Sequence, residues 1–446
     1  MGSRPVLAVT AVVGVLALGT VAADASPGDG PVIGRGLAQQ VKDDKKVRSI
    51  VELRPGHKVS KVASDVEQAS ESARVLESAA SANFFVAEVD AATLAELRRD
   101  PRVKAVYADR LSVPFLERST EVIGAGRAHA AGWTGRGATV AVLDMGIDND
   151  HPFVAGRIVH QACFSTTDAA TGAASLCPNG KDTQTGPGAA ESRIARCLAN
   201  GVNLCGHGTH VAGIAAGRRA PGAPADGVAP GAGIMAIQVF SRIDSAARCG
   251  AVGARPPCFV SYTSDQKLAL EHVIRLARTY NVAAVNMSFG GGGPHQRHCD
   301  GDAEAGALKA QFDALVARGV APVAAAGNGG RTGVAAPACL SGAVAVGATD
   351  NTDAIAGFSN RGPLVDLFAP GVSVTSSVPG GAYGPMSGTS MSAPHVAGSF
   401  AVLRQAFPGL DAAQALRRLR ETGTPVGPDR TPRVDLGRAV SSASQR

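Results

Sequence analysis

The chain has no long polar tract, no tandem repeat, no cysteine before Cys163 and, beyond its first two dozen residues, no apolar run long enough to span a bilayer. Each absence excludes something. With 45% hydrophobic and 18% charged residues and no polar tract, a disordered chain is excluded. Without repeats the solenoid and propeller architectures fall away, and without a second apolar run so does a multi-span membrane protein. A strong charge of one sign is also missing. The net +6 comes from 43 Lys and Arg set among 37 Asp and Glu along the whole chain. That describes a mildly basic surface and argues against a nucleic-acid partner.

What is present starts with length. At 446 residues the chain exceeds what one compact core usually holds, which favours a large domain plus a smaller one. The opening MGSRPVLAVTAVVGVLALGTVAADAS has a single Arg4, an apolar run from Val6 to Val21 and small residues at Ala23-Asp24-Ala25. It reads as a signal peptide over residues 1–25, cleaved after Ala25 or Ala23, and so implies a secreted, extracellular protein. An uncleaved anchor is the competing reading; the small-residue exit favours cleavage and no stable membrane anchor. Residues 26–45 read as a linker.

Eight cysteines, Cys163, Cys177, Cys197, Cys205, Cys249, Cys258, Cys299 and Cys339, follow. An even number in an exported chain favours disulfides, each typically worth about 2–4 kcal/mol, over buried free thiols. Cys249 and Cys258 bracket a short loop and Cys299 and Cys339 are a candidate pair, but spacing does not fix the connectivity.

Residues 46–115 read as a small separate unit: VRSIVELRP a strand, VASDVEQASESARVLESA a helix, ANFFVAEVD a strand, AATLAELRRDP a helix and VKAVYADRL a strand. That pattern suggests a ferredoxin-like α+β sandwich. From Gly132 onward the pattern becomes short apolar runs separated by helices. ATVAVLD (138–144), GIMAIQVF (233–240), AAVNMSFG (283–290), VAPVAAAGN (320–328) and AVAVGAT (343–349) read as strands buried on both faces. KLALEHVIRLARTY and EAGALKAQFDALVARG between them have helical spacing. The expectation for 116–446 is an α/β domain with a largely parallel sheet. Its polar site should lie beyond the carboxyl ends of the strands, where Asp144, Ser288 and Asn328 fall. Residues 161–205 and 241–263 read as surface insertions stapled by disulfides. DAAQALRRLRETG adds one more amphipathic helix near the end.

Three segments carry chemistry: VAVLDMGIDNDHP around Asp144, CGHGTHVAG around His207 and GTSMSAPHVAG around Ser390. A serine hydroxyl is a poor nucleophile until a base takes its proton, and the base needs a third group to fix its tautomer. Aspartate, histidine and serine supply those roles. In this order they resemble the three motifs of the subtilisin-like serine protease family, over roughly residues 116–440. An α/β-hydrolase esterase would need G-x-S-x-G, and GTSMS lacks the last glycine.

The resemblance implies a three-layer domain in which Ser390 is the nucleophile, His207 the general base and Asp144 its orienting group. AAAGNGG resembles the family's oxyanion motif and assigns Asn328 as the side-chain donor. NMSFGG resembles the strand that pairs with extended substrate, lined by Ser288 and Gly290. His210 is expected to be structural, because a metal would want further ligands at set spacings. Cys205 is either one end of a disulfide bracing the His207 loop, which is the expectation, or a free thiol beside the base. Pro394 is placed in the first turn of the Ser390 helix, where it costs no helical bond.

Two positions depart from the family pattern. Met145 stands where a serine or threonine usually follows the aspartate, and is the one feature favouring a catalytically inert binding protein. Phe153 stands where many members carry a calcium-binding aspartate, so that site is expected to be lost; Asp148 and Asp150 remain as other candidate ligands. No cofactor is required for the chemistry.

The 46–115 unit resembles the family's inhibitory propeptide, which also acts as a folding chaperone. Self-cleavage is expected between Phe115 and Leu116, with Val113-Pro114-Phe115 as a plain interdomain link the alternative. Phe115, together with uncharged Gly329 and Ala335 near the expected pocket walls, favours large apolar residues on the acyl side of the cleaved bond. His207 as base implies work at neutral to alkaline pH. The partners expected are a protein or peptide substrate and the chain's own propeptide, acting on a monomer.

Overall fold

The computed structural model describes residues 30–34, 37–43, 46–69, 73–78, 83–109 and 115–443. The expected signal peptide lies outside the described residues, as do Val113 and Pro114. The chain divides into two compact units, residues 1–113 and 114–446.

In the first unit, strand Val47–Leu53 alternates between buried and more exposed positions, as a sheet with one covered face requires. Helix Val59–Ala69 turns Val59, Val62, Ala63 and Val66 into the same core as Val51, Phe85 and Leu97. After the short strand Val32–Ile33 and helix Leu37–Asp43, the described elements run strand, helix, strand, strand, helix, strand. The five-stranded sheet has the order Val32–Ile33, Val103–Ala108, Val47–Leu53, Phe84–Val89, Arg74–Ser78, its last four strands in a ferredoxin-like order.

Two expectations are corrected here. The long helix read over residues 62–79 stops at Ala69, because Arg74–Ser78 pairs antiparallel with Phe84–Val89 at the sheet edge. Residues 26–45 are not merely a linker in their described part. Val32–Ile33 pairs in parallel with Val103–Ala108, and helix Leu37–Asp43 buries Leu37 and Val41 in the core.

The second unit is built on a ten-stranded sheet. Its order is Thr424–Val426, Thr431–Arg433, Leu367–Pro370, Val344–Thr349, Ala321–Ala325, Val282–Met287, Thr139–Asp144, Gly233–Gln238, Ile158–Phe164, Thr183–Thr185. Every pairing except the outermost at each edge is parallel. Alternation explains the continuous apolar runs: Val140, Val142, Ile234 and Ala236 enter one core, while Ala141, Leu143, Met235 and Ile237 enter the other. Helices Gly206–Ala216 and Thr389–Ala406 cover the first face. Helices Thr263–Leu276 and Lys309–Val316 cover the second. This is the three-layer α/β arrangement.

All five expected strands are present. The sheet also takes in Ile158–Phe164, whose last residues fall in the expected 161–205 insertion, and Thr183–Thr185, which lies wholly within it. The remainder of the two insertions joins through a small sheet of Ala173–Ser175, Ser241–Ile243 and Cys258–Val260. All eight cysteines are paired, as Cys163–Cys177, Cys197–Cys205, Cys249–Cys258 and Cys299–Cys339. Among the described residues no helix is long and apolar enough to cross a membrane.

Candidate active site

Parallel strands end on one edge of a sheet, and three neighbouring ones deliver polar residues there. Asp144 closes its strand, Ser288 follows Val282–Met287, and Asn328 follows Ala321–Ala325. Asp144 is 1% exposed, and its carboxylate accepts from His207 Nδ1 at 2.8 and 3.0 Å. Because a carboxylate only accepts, the proton sits on Nδ1 and Nε2 carries the lone pair. Burial pushes the His207 pKa down, but the charge of Asp144 and its hydrogen bond outweigh burial, and the pKa is raised above 6.5. The contact depends on Gly208, where an added Cβ would collide with Gly146 O and lie 3.0 Å from Asp144 Cβ.

Asp144 is held here without a hydroxyl at position 145. The Met145 backbone N–H, which any residue there would supply, donates to Asp144 Oδ1 at 2.8 Å, and the half-buried Met145 side chain packs against the core. Cys205, the residue before the His207 helix, is disulfide-bonded to Cys197 as expected. His210 is fully buried; Nε2 is 3.0 Å from Gly384 O, and burial lowers its pKa to about 4. It behaves as a structural histidine.

Ser390 is the second residue of helix Thr389–Ala406, where free backbone N–H groups favour negative charge. Its hydroxyl donates to Ser288 O at 2.9 Å, and the Ser288 hydroxyl donates back to Ser390 O at 2.7 Å. Pro394 explains the second bond. It is the sixth helical residue and not in the first turn, so its missing N–H leaves Ser390 O without the usual i+4 donor. Ser288 Oγ takes that place and is itself held by Asn286 Nδ2 at 2.9 Å. Ser288, expected only to line the substrate strand, is thus also tied to Ser390.

Asn328 is fixed by a residue that sequence reasoning did not single out. Thr389 donates to Asn328 Oδ1 from its backbone N at 2.8 Å and from its hydroxyl at 3.0 Å. That makes the outward atom of the amide Nδ2. A Cβ placed on Gly388 would lie 3.3 Å from Asn328 Nδ2 and 3.6 Å from Ser390 N, so both donors border one small space. Gly290, Gly327 and Ala335 are also neighbours: a Cβ on either glycine would lie 3.4 Å from Ala335 Cβ. Gly329 lies on the adjoining loop, its N–H bound to Asn360 Oδ1 at 3.1 Å. Phe115 and Leu116 open helix Phe115–Val122, and the unit boundary falls two residues earlier.

The loop after Asp144 does not fit a calcium ion. Phe153 is wholly buried, edge-on to Tyr383 and pressed on the Gly213 and Gly217 backbone. Arg193 occupies the acidic group instead: its guanidinium meets Asp148 at 3.0 Å, Asp150, and Glu191 at 3.7 Å. Among the described residues no group of three or more His, Cys, Asp or Glu is placed to hold a metal.

A sequence model of the subtilase family matches residues 135–435. Subtilisin E of Bacillus subtilis (strain 168) is 33% identical over 356 residues, covering 77% of this chain and 76% of its own. Subtilisin of Bacillus pumilus is 34% identical over 304 residues, or 67% of this chain and 88% of its own. Subtilisin Savinase of Lederbergia lenta is 34% identical over 301 residues with the same coverages.

Proposed function

The chain belongs to the subtilase family and is a serine endopeptidase, and on that premise we propose that it is secreted as a self-processing zymogen whose triad is Asp144, His207 and Ser390. The carrying observation is the Asp144–His207 hydrogen bond, which leaves Nε2 as the basic nitrogen. In the reaction Nε2 takes the Ser390 hydroxyl proton as Oγ, leaving Ser288 O, attacks the peptide carbonyl carbon. Asn328 Nδ2 and Ser390 N stabilise the resulting oxyanion. Collapse breaks the C–N bond, His207 returns its proton to the leaving amine, and water resolves the acyl-enzyme by the reverse use of the base.

The residues 46–115 act as inhibitor and chaperone in this reading, and cleavage falls between Phe115 and Leu116. The unit boundary at Val113–Pro114 supports that position. The small, uncharged residues Gly290, Gly329 and Ala335 at the expected pocket walls support a preference for large apolar residues before the cleaved bond. No partner beyond substrate and propeptide is invoked, no cofactor enters the chemistry, and the enzyme acts as a monomer.

Intact mass and N-terminal sequencing after incubation at mildly alkaline pH test this, comparing the full chain with Ser390→Ala. The expected outcome is a wild type cut near Phe115 and a variant that stays whole. A folded wild type that also stays whole rules out self-processing.

A further inference from the structure

Asn360 lies 32 positions after Asn328 in the chain and makes no hydrogen bond to it, yet it bonds the loop on both sides of it. Its Oδ1 accepts from the N–H groups of Gly329 and Arg331, each at 3.1 Å. Its Nδ2 donates to Ala326 O at 3.0 Å, and its backbone N donates to Gly327 O at 2.9 Å. The side chain is buried, 6% exposed, so these groups have no ready substitute in water. The clamped backbone is irregular, and its other bonds also reach distant segments, Gly330 N to Phe358 O at 2.7 Å and Gly327 N to Thr389 Oγ1 at 3.2 Å. Gly327 has φ +106° and Gly330 φ +65°, both in the left-handed region, so the loop has no regular ladder of its own.

An amide suits this position because one planar group must accept two N–H bonds and donate a third. A carboxylate keeps the acceptor and loses the donor; an alanine loses both. From this geometry we infer that Asn360 is a positioning residue for catalysis, holding the Asn328 loop so that Nδ2 meets the developing oxyanion. The inference rests on the proposed role of Asn328. A donor displaced by a fraction of an ångström helps the ground state and the transition state alike or neither, so the loss should appear in turnover and not in binding.

The test is a double-mutant cycle on the mature enzyme with a blocked tetrapeptide p-nitroanilide ending in phenylalanine. Rates are expressed per active site titrated with a serine-directed sulfonyl fluoride, so that unfolded molecules do not count. Removing one oxyanion donor typically costs about 10²–10³ in turnover, and displacing it should cost less, about 10–100-fold in kcat for Asn360→Ala, with KM within about threefold. Asn360→Asp should fall between wild type and alanine. In an Asn328→Ala background the Asn360→Ala loss should shrink to about threefold or less, because the donor it positions is already gone. A kcat for Asn360→Ala equal to wild type, or a loss undiminished in the Asn328→Ala background, overturns the inference. If Asn360→Ala yields no titratable sites, the same cycle with Asn360→Asp decides. Failure of the functional reading itself looks different: the wild type does not cleave, or Ser390→Ala cleaves as well as it.

Discussion

Burial alone would make His207 give up its proton readily, whereas Asp144, charged and hydrogen-bonded to Nδ1, holds the proton on. A general base works only when neutral, so kcat/KM should rise with pH through an apparent pKa above 6.5, the ordinary imidazole value. Asp144→Asn removes the larger raising influence, the carboxylate charge, and leaves burial. The acid limb of the pH–rate profile should then move down in pH while the rate itself falls by about 10⁴, the effect typical of losing the orienting carboxylate. An unmoved limb would mean that another group controls the profile. At this scale much was legible. Asp144, His207, Ser390 and Asn328, the proposed catalytic set, each sit in a short motif whose residue types the proposed reaction dictates. Thr389 and Asn360 were not singled out, because what they do is bond backbone atoms that are distant in sequence.

The His207 helix, GHGTHVAGIAA, is glycine-rich against ordinary helix propensity. Packing gives the reason: Gly208 meets the Asp144 loop and Gly213 meets the Ser376 and Ser377 hydroxyls and Phe153. Replacing glycine by alanine within an exposed helix usually adds about 1 kcal/mol of stability. Gly208→Ala should reverse that sign, losing about 1–3 kcal/mol by overpacking and lowering kcat as the imidazole is pushed off Asp144. Gly126→Ala, in helix Ala125–Ala130 with nothing beyond its own helix within 4 Å of the new Cβ, is the control and should not destabilise. Thermal melts and kcat for the two variants check this; equal effects would remove the packing explanation. The buried strands were legible from their unbroken apolar runs. Leu367–Pro370, Thr424–Val426 and Thr431–Arg433 were not, being only three or four residues long and each containing proline.

Across the whole molecule, three buried histidines are held neutral. His210, His272 and His395 are each lowered to about 4, chiefly by burial. His160, stacked on His272 with their Nε2 atoms 2.7 Å apart, is lowered too, again chiefly by burial. A depressed histidine pKa means that the unfolded chain binds the extra proton first. The stability these groups contribute is therefore complete above pH 6.5 and is lost as pH falls from 6.5 toward 4. Each such group accounts for on the order of a few kcal/mol, against a whole-protein stability of about 5–15 kcal/mol. Melting temperature should drop steeply through that window and flatten below it, and His272→Gln should shallow the drop. A flat profile between pH 6.5 and 4 would contradict the neutral-histidine picture.

The sequence by itself determined the residues proposed for the reaction and the strands of the buried sheet, because both are written in short range. A motif of a few residues carries each chemical role, and a run of apolar residues has nowhere to go but a doubly covered sheet. It also marked the disulfide-rich regions, though not the pairing. The tertiary structure alone decided which cysteines meet, that Arg193 fills the acidic loop after Asp144, that Ser288 supplies the bond Pro394 denies to Ser390, and that Asn360 clamps the Asn328 loop. Apart from the short-range disulfides Cys163–Cys177, Cys197–Cys205 and Cys249–Cys258, these are contacts between segments tens of residues apart, and nothing local in a chain encodes which distant group the fold will bring together.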